Sequence, residues 1–217
     1  MRQRKVKNEA ERLAALEEYM IREAIELKGR WNDYLRQMNQ GFKRSIFLEL
    51  GCGRGHFLVA HAEQNPEDFY IGAEGRSSIV LRALELIQEN KLLNALCIPD
   101  YIENIEDYFA EDELSGIYLN FSDPWPKARH AKRRLTHRRY LEGYKRVLKR
   151  GSFIEIKTDN DDFFNFTLEE CYACGLTIKE HTQDLHKTNL SARLITTQYE
   201  ERFRLLKKSI NYCKIMI

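Results

Sequence analysis

Five short apolar runs, at 46–50, 69–74, 95–98, 116–121 and 152–158, are rich in Ile, Leu, Phe and Tyr. Between and after them lie stretches at 56–64, 77–90, 102–109, 136–149 and 161–174 whose apolar residues recur three and four apart. Short runs of the first kind predict strands and the 3.6-residue period predicts helices. Their alternation predicts an α/β fold, with a doubly wound, mostly parallel, Rossmann-like sheet covered by helices on both faces. The tail leaves the alternation. Thr177–Gln183 and Ser209–Ile217 read as two further strands, giving seven, with a helix-compatible Gln198–Leu206 between them. They are expected to form an antiparallel pair at one edge of the sheet.

At the other end, residues 8–28 read as one amphipathic helix. Leu13, Leu16, Met20, Ala24 and Leu27 form its apolar stripe, Asn8 with Glu11 can cap its start, and Gly29 can end it. A basic arm, Met1 to Lys7, precedes it. The expected organisation is therefore an arm and helical extension over 1–40, packed on a main domain over 41–217.

Composition adds little until charge is placed along the chain. The 217 residues carry a net charge of only +2, yet residues 1–7 hold four basic groups and residues 127–139 hold seven, with no acid in either run. Outside those runs 24 basic residues face 33 acidic ones, so the positive charge is local, the footprint of a polyanionic partner. The residues after the arm are Glu-rich where a signal peptide would be apolar, and no membrane span is visible. Five scattered cysteines suit reduced thiols in a cytoplasm. Cys171 and Cys174 have metal-like spacing but no second pair of ligands, so they read as packing, and no metal is expected.

The candidate chemistry lies just past the strands. The run at 46–50 leads into Gly51-Cys52-Gly53-Arg54-Gly55-His56, where glycines permit a sharp turn and a close approach of backbone to ligand. His56 occupies the position where a dinucleotide fingerprint requires glycine, which argues against an NAD-dependent oxidoreductase. Acids stand at four successive strand ends: Glu49, Glu74, Asp100 and Asp123. In a doubly wound sheet these ends face one crevice, and four carboxylates there suit an ammonium, ribose hydroxyls and an amino-purine edge while repelling a pyrophosphate. After the fourth strand, Ser122-Asp123-Pro124-Trp125-Pro126 cannot continue the ladder because two prolines lack donors. Asp123 and Trp125 are thus held in a stiff loop beside seven cations, an arrangement suited to chemistry on an exposed nucleic-acid base. Arg138 and Arg139 fall in the first turn of the helix predicted from Thr136, opposing its dipole, a conflict that a bound phosphate would remove.

The glycine loop with its leading Glu49, the strand-end Glu74, and above all Asn120-Phe121-Ser122-Asp123-Pro124-Trp125-Pro126-Lys127 with Arg129-His130 and Lys132-Arg133-Arg134-Leu135 resemble the bacterial tRNA (guanine-N7-)-methyltransferases. Lys157-Thr158-Asp159-Asn160 and Thr197-Gln198-Tyr199-Glu200 extend the likeness, which covers essentially the whole chain. Ala128 departs from it, standing where the family usually carries a second Lys. The resemblance implies a class I methyltransferase fold and S-adenosylmethionine held by Glu49, Gly51, Gly53, Gly55, Glu74, Asp100 and Asp123. It implies tRNA as substrate, contacted by Lys127, Asp159, Thr197, Gln198, Tyr199 and Glu200. Arg129, His130, Ala131, Lys132, Arg133 and Arg134 complete the implied RNA-binding segment, Asp123 doubles as the catalytic residue, and a guanine in the variable loop is the implied target. Two readings compete. A nucleic-acid amino-methyltransferase would use an Asp/Asn-Pro-Pro-aromatic loop, where Trp125 here replaces the second proline; a non-catalytic RNA-binding protein on the same fold would have no need of the glycines and Asp123.

Overall fold

The structure, a computed structural model, describes residues 6–38 and 45–217. Residues 1–5 of the basic arm, and 39–44 where the main domain was expected to begin, lie outside the described residues. Seven strands form one sheet in the order β3-β2-β1-β4-β5-β7-β6. They are β1 (Ile46–Leu50), β2 (Phe69–Ala73), β3 (Ala95–Ile98), β4 (Leu114–Asn120), β5 (Leu148–Thr158), β6 (Thr177–Thr182) and β7 (Asn211–Met216). The first five run parallel, and β7 inserts antiparallel between β5 and β6, giving the expected antiparallel edge. The chain reverses direction between β1 and β4, which places a crevice at the carboxyl ends of those central strands.

The strand pleat sorts side chains between two cores. Ile46, Leu48 and Leu50, with Ile71, Ile98, Ile117 and Ile156, face one side, packed by Leu141, Tyr144 and Val147 of α5 (Arg138–Val147) and Phe164 and Cys171 of α6 (Asp161–Ala173). Phe47, Tyr70, Cys97 and Tyr118 face the other, under Phe57, Leu58 and Val59 of α3 (His56–Gln64) and Val80, Leu84 and Ile87 of α4 (Ser77–Glu89). A third cluster, Leu185, Ile210 and Tyr212 with Phe121, Leu190 and Phe203, fastens the long β6–β7 connection over the end of β4. That connection carries α7 (Gln198–Leu205).

Several expectations need correction. Residues 8–28 do not form one helix: α1 covers only Glu9–Ala14, followed by short 3-10 turns at Glu17–Tyr19 and Ala24–Leu27. Asn8 has left-handed backbone and makes no side-chain cap. The apolar stripe is still buried at Leu16, Met20 and Ala24, but Met20 is extended and bridges Cys97 on β3, with Ile21 N–H donating to the Cys97 carbonyl at 2.9 Å. Covering the open edge of β3 outweighs local helix preference. An unpredicted α2 (Trp31–Met38) follows, its Trp31 fully buried and stacked on Phe109. Glu113 holds its start by accepting from the N–H groups of Gly29 (2.9 Å), Trp31 (3.2 Å) and Ala110 (2.7 Å). The helix expected over 102–109 is a single 3-10 turn at Ile105–Asp107, and α5 begins two residues after Thr136 with the His137 side chain accepting from Arg139 N–H.

Candidate active site

Buried polar side chains follow one another along the carboxyl edge of the sheet. Strand pairing sets Glu49 of β1 beside Tyr118 of β4, and Asn120 of β4 beside Lys157 of β5. Asn120 Nδ2 donates to Glu49 Oε1 at 2.8 Å, while Glu49 Oε2 is buried with no partner among the described residues. Burial pushes the Glu49 carboxyl up to about 7, against the opposing pull of the Asn120 bond and the Lys157 charge. An orphaned, poorly hydrated carboxylate oxygen calls for a cationic donor.

The turn after β1 provides room for one. Gly51 and Gly53 have φ of +77° and +57°, and a Cβ on either would meet nothing within 4 Å, so the loop leaves an open cradle. Gly55 differs: a Cβ there would stand 2.7 Å from the Ala83 Cβ, so its bareness serves the contact of α3 with α4. Glu74, past β2, is half-buried and accepts from Arg76 N–H at 3.0 Å. Asp100, past β3, is exposed and accepts from Tyr101 N–H and the Tyr108 hydroxyl, each at 2.7 Å. Asp123, past β4, is exposed, accepts no hydrogen bond among the described residues, and lies within electrostatic reach of Arg76. An orphaned carboxylate oxygen, an open glycine cradle and further strand-end acids fit a ligand bearing an ammonium, hydroxyls and an amino-purine.

The loop carrying Asp123 is held in an unusual shape. Phe121 and Trp125 both have positive φ, +52° and +41°, values bulky residues rarely adopt. Trp125 is half-buried, with the Arg133 guanidinium 4.9 Å from its ring centroid and His130 edge-on at 5.7 Å. One of its faces is therefore already covered, which narrows the stacking surface expected for a base. Lys127, Arg129, Lys132 and Arg133 are exposed, whereas His130 and Ala131 are half-buried. Arg134 is turned away from solvent onto the carbonyls of Pro124 and Trp125. The conflict expected at the start of α5 is resolved internally: the nearly buried Glu170 carboxylate accepts from Arg138 N–H at 2.5 Å and from its guanidinium at 2.8 Å.

The four residues Thr197 to Glu200 divide. Gln198 and Tyr199 are exposed, and Tyr199 stacks on Phe121 with centroids 6.0 Å apart. Thr197 and Glu200, also expected to contact the RNA, are buried and close a reciprocal cap at the start of α7. Glu200 also binds Lys157, whose Nζ donates to Glu200 Oε2 (3.0 Å), Ala192 O (2.6 Å) and Ile195 O (2.8 Å). Asp159 is half-buried and paired with Lys208. Sequence reasoning missed Asn120 and Lys157 as partners of these acids, although both stand in motifs that were singled out; their position as neighbours across β4 and β5 was the available signal.

A family model described as "Putative methyltransferase" matches residues 43–213. The chain is 39% identical over 205 residues to the tRNA (guanine-N(7)-)-methyltransferase of Geobacillus sp. (strain WCH70), covering 94% of this chain and 90% of that one. It is 41% identical over 204 residues to that of Clostridioides difficile (strain 630), covering 94% and 92%. The chain belongs to the tRNA (guanine-N7-)-methyltransferase family. Among solved structures the fold is shared with the 16S rRNA methyltransferase KamB, with a TM-score of 0.63 over 86% of this chain and 93% of that one at 11% identity. An antibiotic-related methyltransferase gives a TM-score of 0.60 over 84% and 92%, at 16% identity. At such identities these two speak for the fold alone.

Proposed function

We propose that this protein transfers the methyl group of S-adenosylmethionine to N7 of a guanine in tRNA, in the variable loop, and that it works in the cytoplasm, where that substrate resides. The observation that carries this reading is Asp123, exposed in a rigid loop past β4, in a chain 39–41% identical to tRNA (guanine-N(7)-)-methyltransferases over more than nine-tenths of its length. Bound S-adenosylmethionine supplies an electrophilic methyl on a sulfonium. Glu49 would hold its ammonium, with Gly51 and Gly53 giving the close backbone approach and Glu74 and Asp100 taking hydroxyls and the purine edge.

The remaining work falls to orientation. Guanine N7 has an in-plane lone pair and no proton, so no base or metal is needed to expose the nucleophile, and alignment supplies the catalysis. The base gains positive charge as N7 is alkylated, and a fixed carboxylate at Asp123 opposes that charge without reorganising. Tyr199, braced by Phe121, offers an exposed ring at the same rim, where stacking contributes about 1–3 kcal/mol per base. Lys127, Arg129, Lys132 and Arg133 provide phosphate contacts. Thr197 and Glu200 act through the fold, holding α7 so that Gln198 and Tyr199 face outward. The test is to react the protein with unmodified tRNA and labelled S-adenosylmethionine and identify the nucleoside formed. 7-Methylguanosine at a single variable-loop position is the expected product; label on an exocyclic amine, or tRNA bound without methylation, would overturn the reading.

A further inference from the structure

Arg134 belongs by sequence to the cationic run, yet its half-buried side chain is committed to bonds within the protein. Its Nε donates to the Pro124 carbonyl at 3.0 Å and its Nη2 to the Trp125 carbonyl at 3.1 Å, while the guanidinium lies over the Phe166 ring, 4.3 Å from the centroid. The segment it grips cannot hold itself. Pro124 and Pro126 have no N–H, so residues 124–126 present three carbonyls and a single backbone donor. Trp125 is further held at φ +41°, a conformation that persists for a bulky residue only where its surroundings over-determine it. A planar fork reaching two successive carbonyls supplies that constraint, and a lysine ammonium, a single point on a flexible stem, does not reproduce it.

We propose that Arg134 is a positioning residue for methyl transfer, a clamp that closes the base of the loop from Pro124 to Arg134 and so aims Asp123, rather than a contact to RNA phosphate. Fixing the Pro124–Trp125 peptide fixes the direction in which Asp123, bonded to Pro124, presents its carboxylate. The same closure sets the exposed Lys127, Arg129, Lys132 and Arg133, which stand on the segment between the two ends and its 3-10 turns at Ala128–Arg133, in register with Asp123. This role rests on the methyltransferase reading above, but the loop contact itself does not.

The experiment compares Arg134→Lys, which keeps the charge, and Arg134→Met with the intact protein in three measurements. Trp31 is fully buried, so acrylamide quenching of tryptophan emission reports Trp125. Both variants should quench more readily than wild type. Single-turnover methyl transfer at saturating S-adenosylmethionine and tRNA should fall about thirtyfold or more even in Arg134→Lys, since a misplacement of about 1 Å can cost on the order of a hundredfold. The slope of log tRNA affinity against log salt should stay at the wild-type value in both. A slope reduced by about 0.7–0.9 in Arg134→Met, with quenching unchanged, would make Arg134 a phosphate contact and overturn the proposal. So would wild-type turnover in both variants. If Arg134→Met does not fold, Arg134→Lys alone decides by its rate and quenching. If wild-type protein methylates no guanine while both variants still loosen Trp125, the clamp stands and the assigned reaction falls.

Discussion

Glu49 is almost fully withdrawn from water, and with one carboxylate oxygen unpartnered its acidity sits at about 7 rather than 4.5. The folded state therefore holds this proton more tightly than the unfolded chain does. Its contribution to stability is complete below about pH 4.5 and is lost as pH rises through about 7, a loss of about 3 kcal/mol by linkage. A bound ammonium inverts the balance by favouring the carboxylate. S-adenosylmethionine affinity should then climb about tenfold per pH unit below 7, level off near neutrality and fall once the ligand's own ammonium loses its proton at about pH 8, with proton release below 7 visible by calorimetry in buffers of different ionisation enthalpy. Glu49→Gln should flatten that profile. Proton-neutral, pH-independent binding by the wild type would remove Glu49 from the ammonium. The acid was legible in the sequence because it ends a strand before a glycine loop. Its depth was not, because it depends on packing across the sheet and on Asn120 of β4, 71 residues along the chain. Arg138 gives the same lesson: its place at a helix start was legible, but its partner Glu170 lies 32 residues on, across the α5–α6 contact.

Among the elements, parallel strands and their helices were the easiest to read, since a strand buried on both faces must be a short apolar run whatever its neighbours are. The N-terminal segment was not readable in that way. Three of its five stripe residues, Leu16, Met20 and Ala24, are buried, while Leu13 and Leu27 are half-buried and the buried Ile21 lay outside the stripe; whether Met20 lies in a helix or on the edge of β3 is decided by Cys97, far along the chain. The β6–β7 connection likewise owes its shape to a residue outside it. Lys157 is 2% exposed and Glu200 fully buried, and the same ammonium ties down the carbonyls of Ala192 and Ile195. Lys157→Met would leave the buried Glu200 carboxylate with only the His186 imidazole, 3.1 Å from Oε1, and the Thr197 N–H as partners, a cost of about 3–5 kcal/mol. For a chain of this size that is a drop of roughly 6–20 °C in Tm. Adding Glu200→Gln should recover part of the loss because no buried charge is then left alone. If Lys157→Met melts with wild type in a calorimetric scan, the ammonium does not anchor this connection.

Across the whole molecule, a nearly neutral net charge hides a cationic rim against an acidic remainder, and only some of the cations are free to meet a polyanion. Arg134 is bonded to backbone carbonyls, and Arg138, although exposed, is neutralised by Glu170; Lys127, Arg129, Lys132 and Arg133 are exposed with no carboxylate partner among the described residues, Arg133 lying over Trp125. Counterion release scales with the phosphates neutralised, at a slope of about 0.7–0.9 per contact. Replacing Arg129 and Lys132 together by Gln should reduce the slope of log tRNA affinity against log salt by roughly 1.4–1.8 and leave S-adenosylmethionine binding unchanged. Arg138→Gln, which removes the same kind of charge from the same stretch, should leave that slope alone. It should instead lower thermal stability, because the nearly buried Glu170 carboxylate loses its guanidinium partner. Equal slope changes in the two variants would mean that Arg138 also reaches RNA and leaves Glu170 on binding; no change in the Arg129/Lys132 variant would mean that the exposed cations only solvate the surface, and that the polyanion is bound elsewhere.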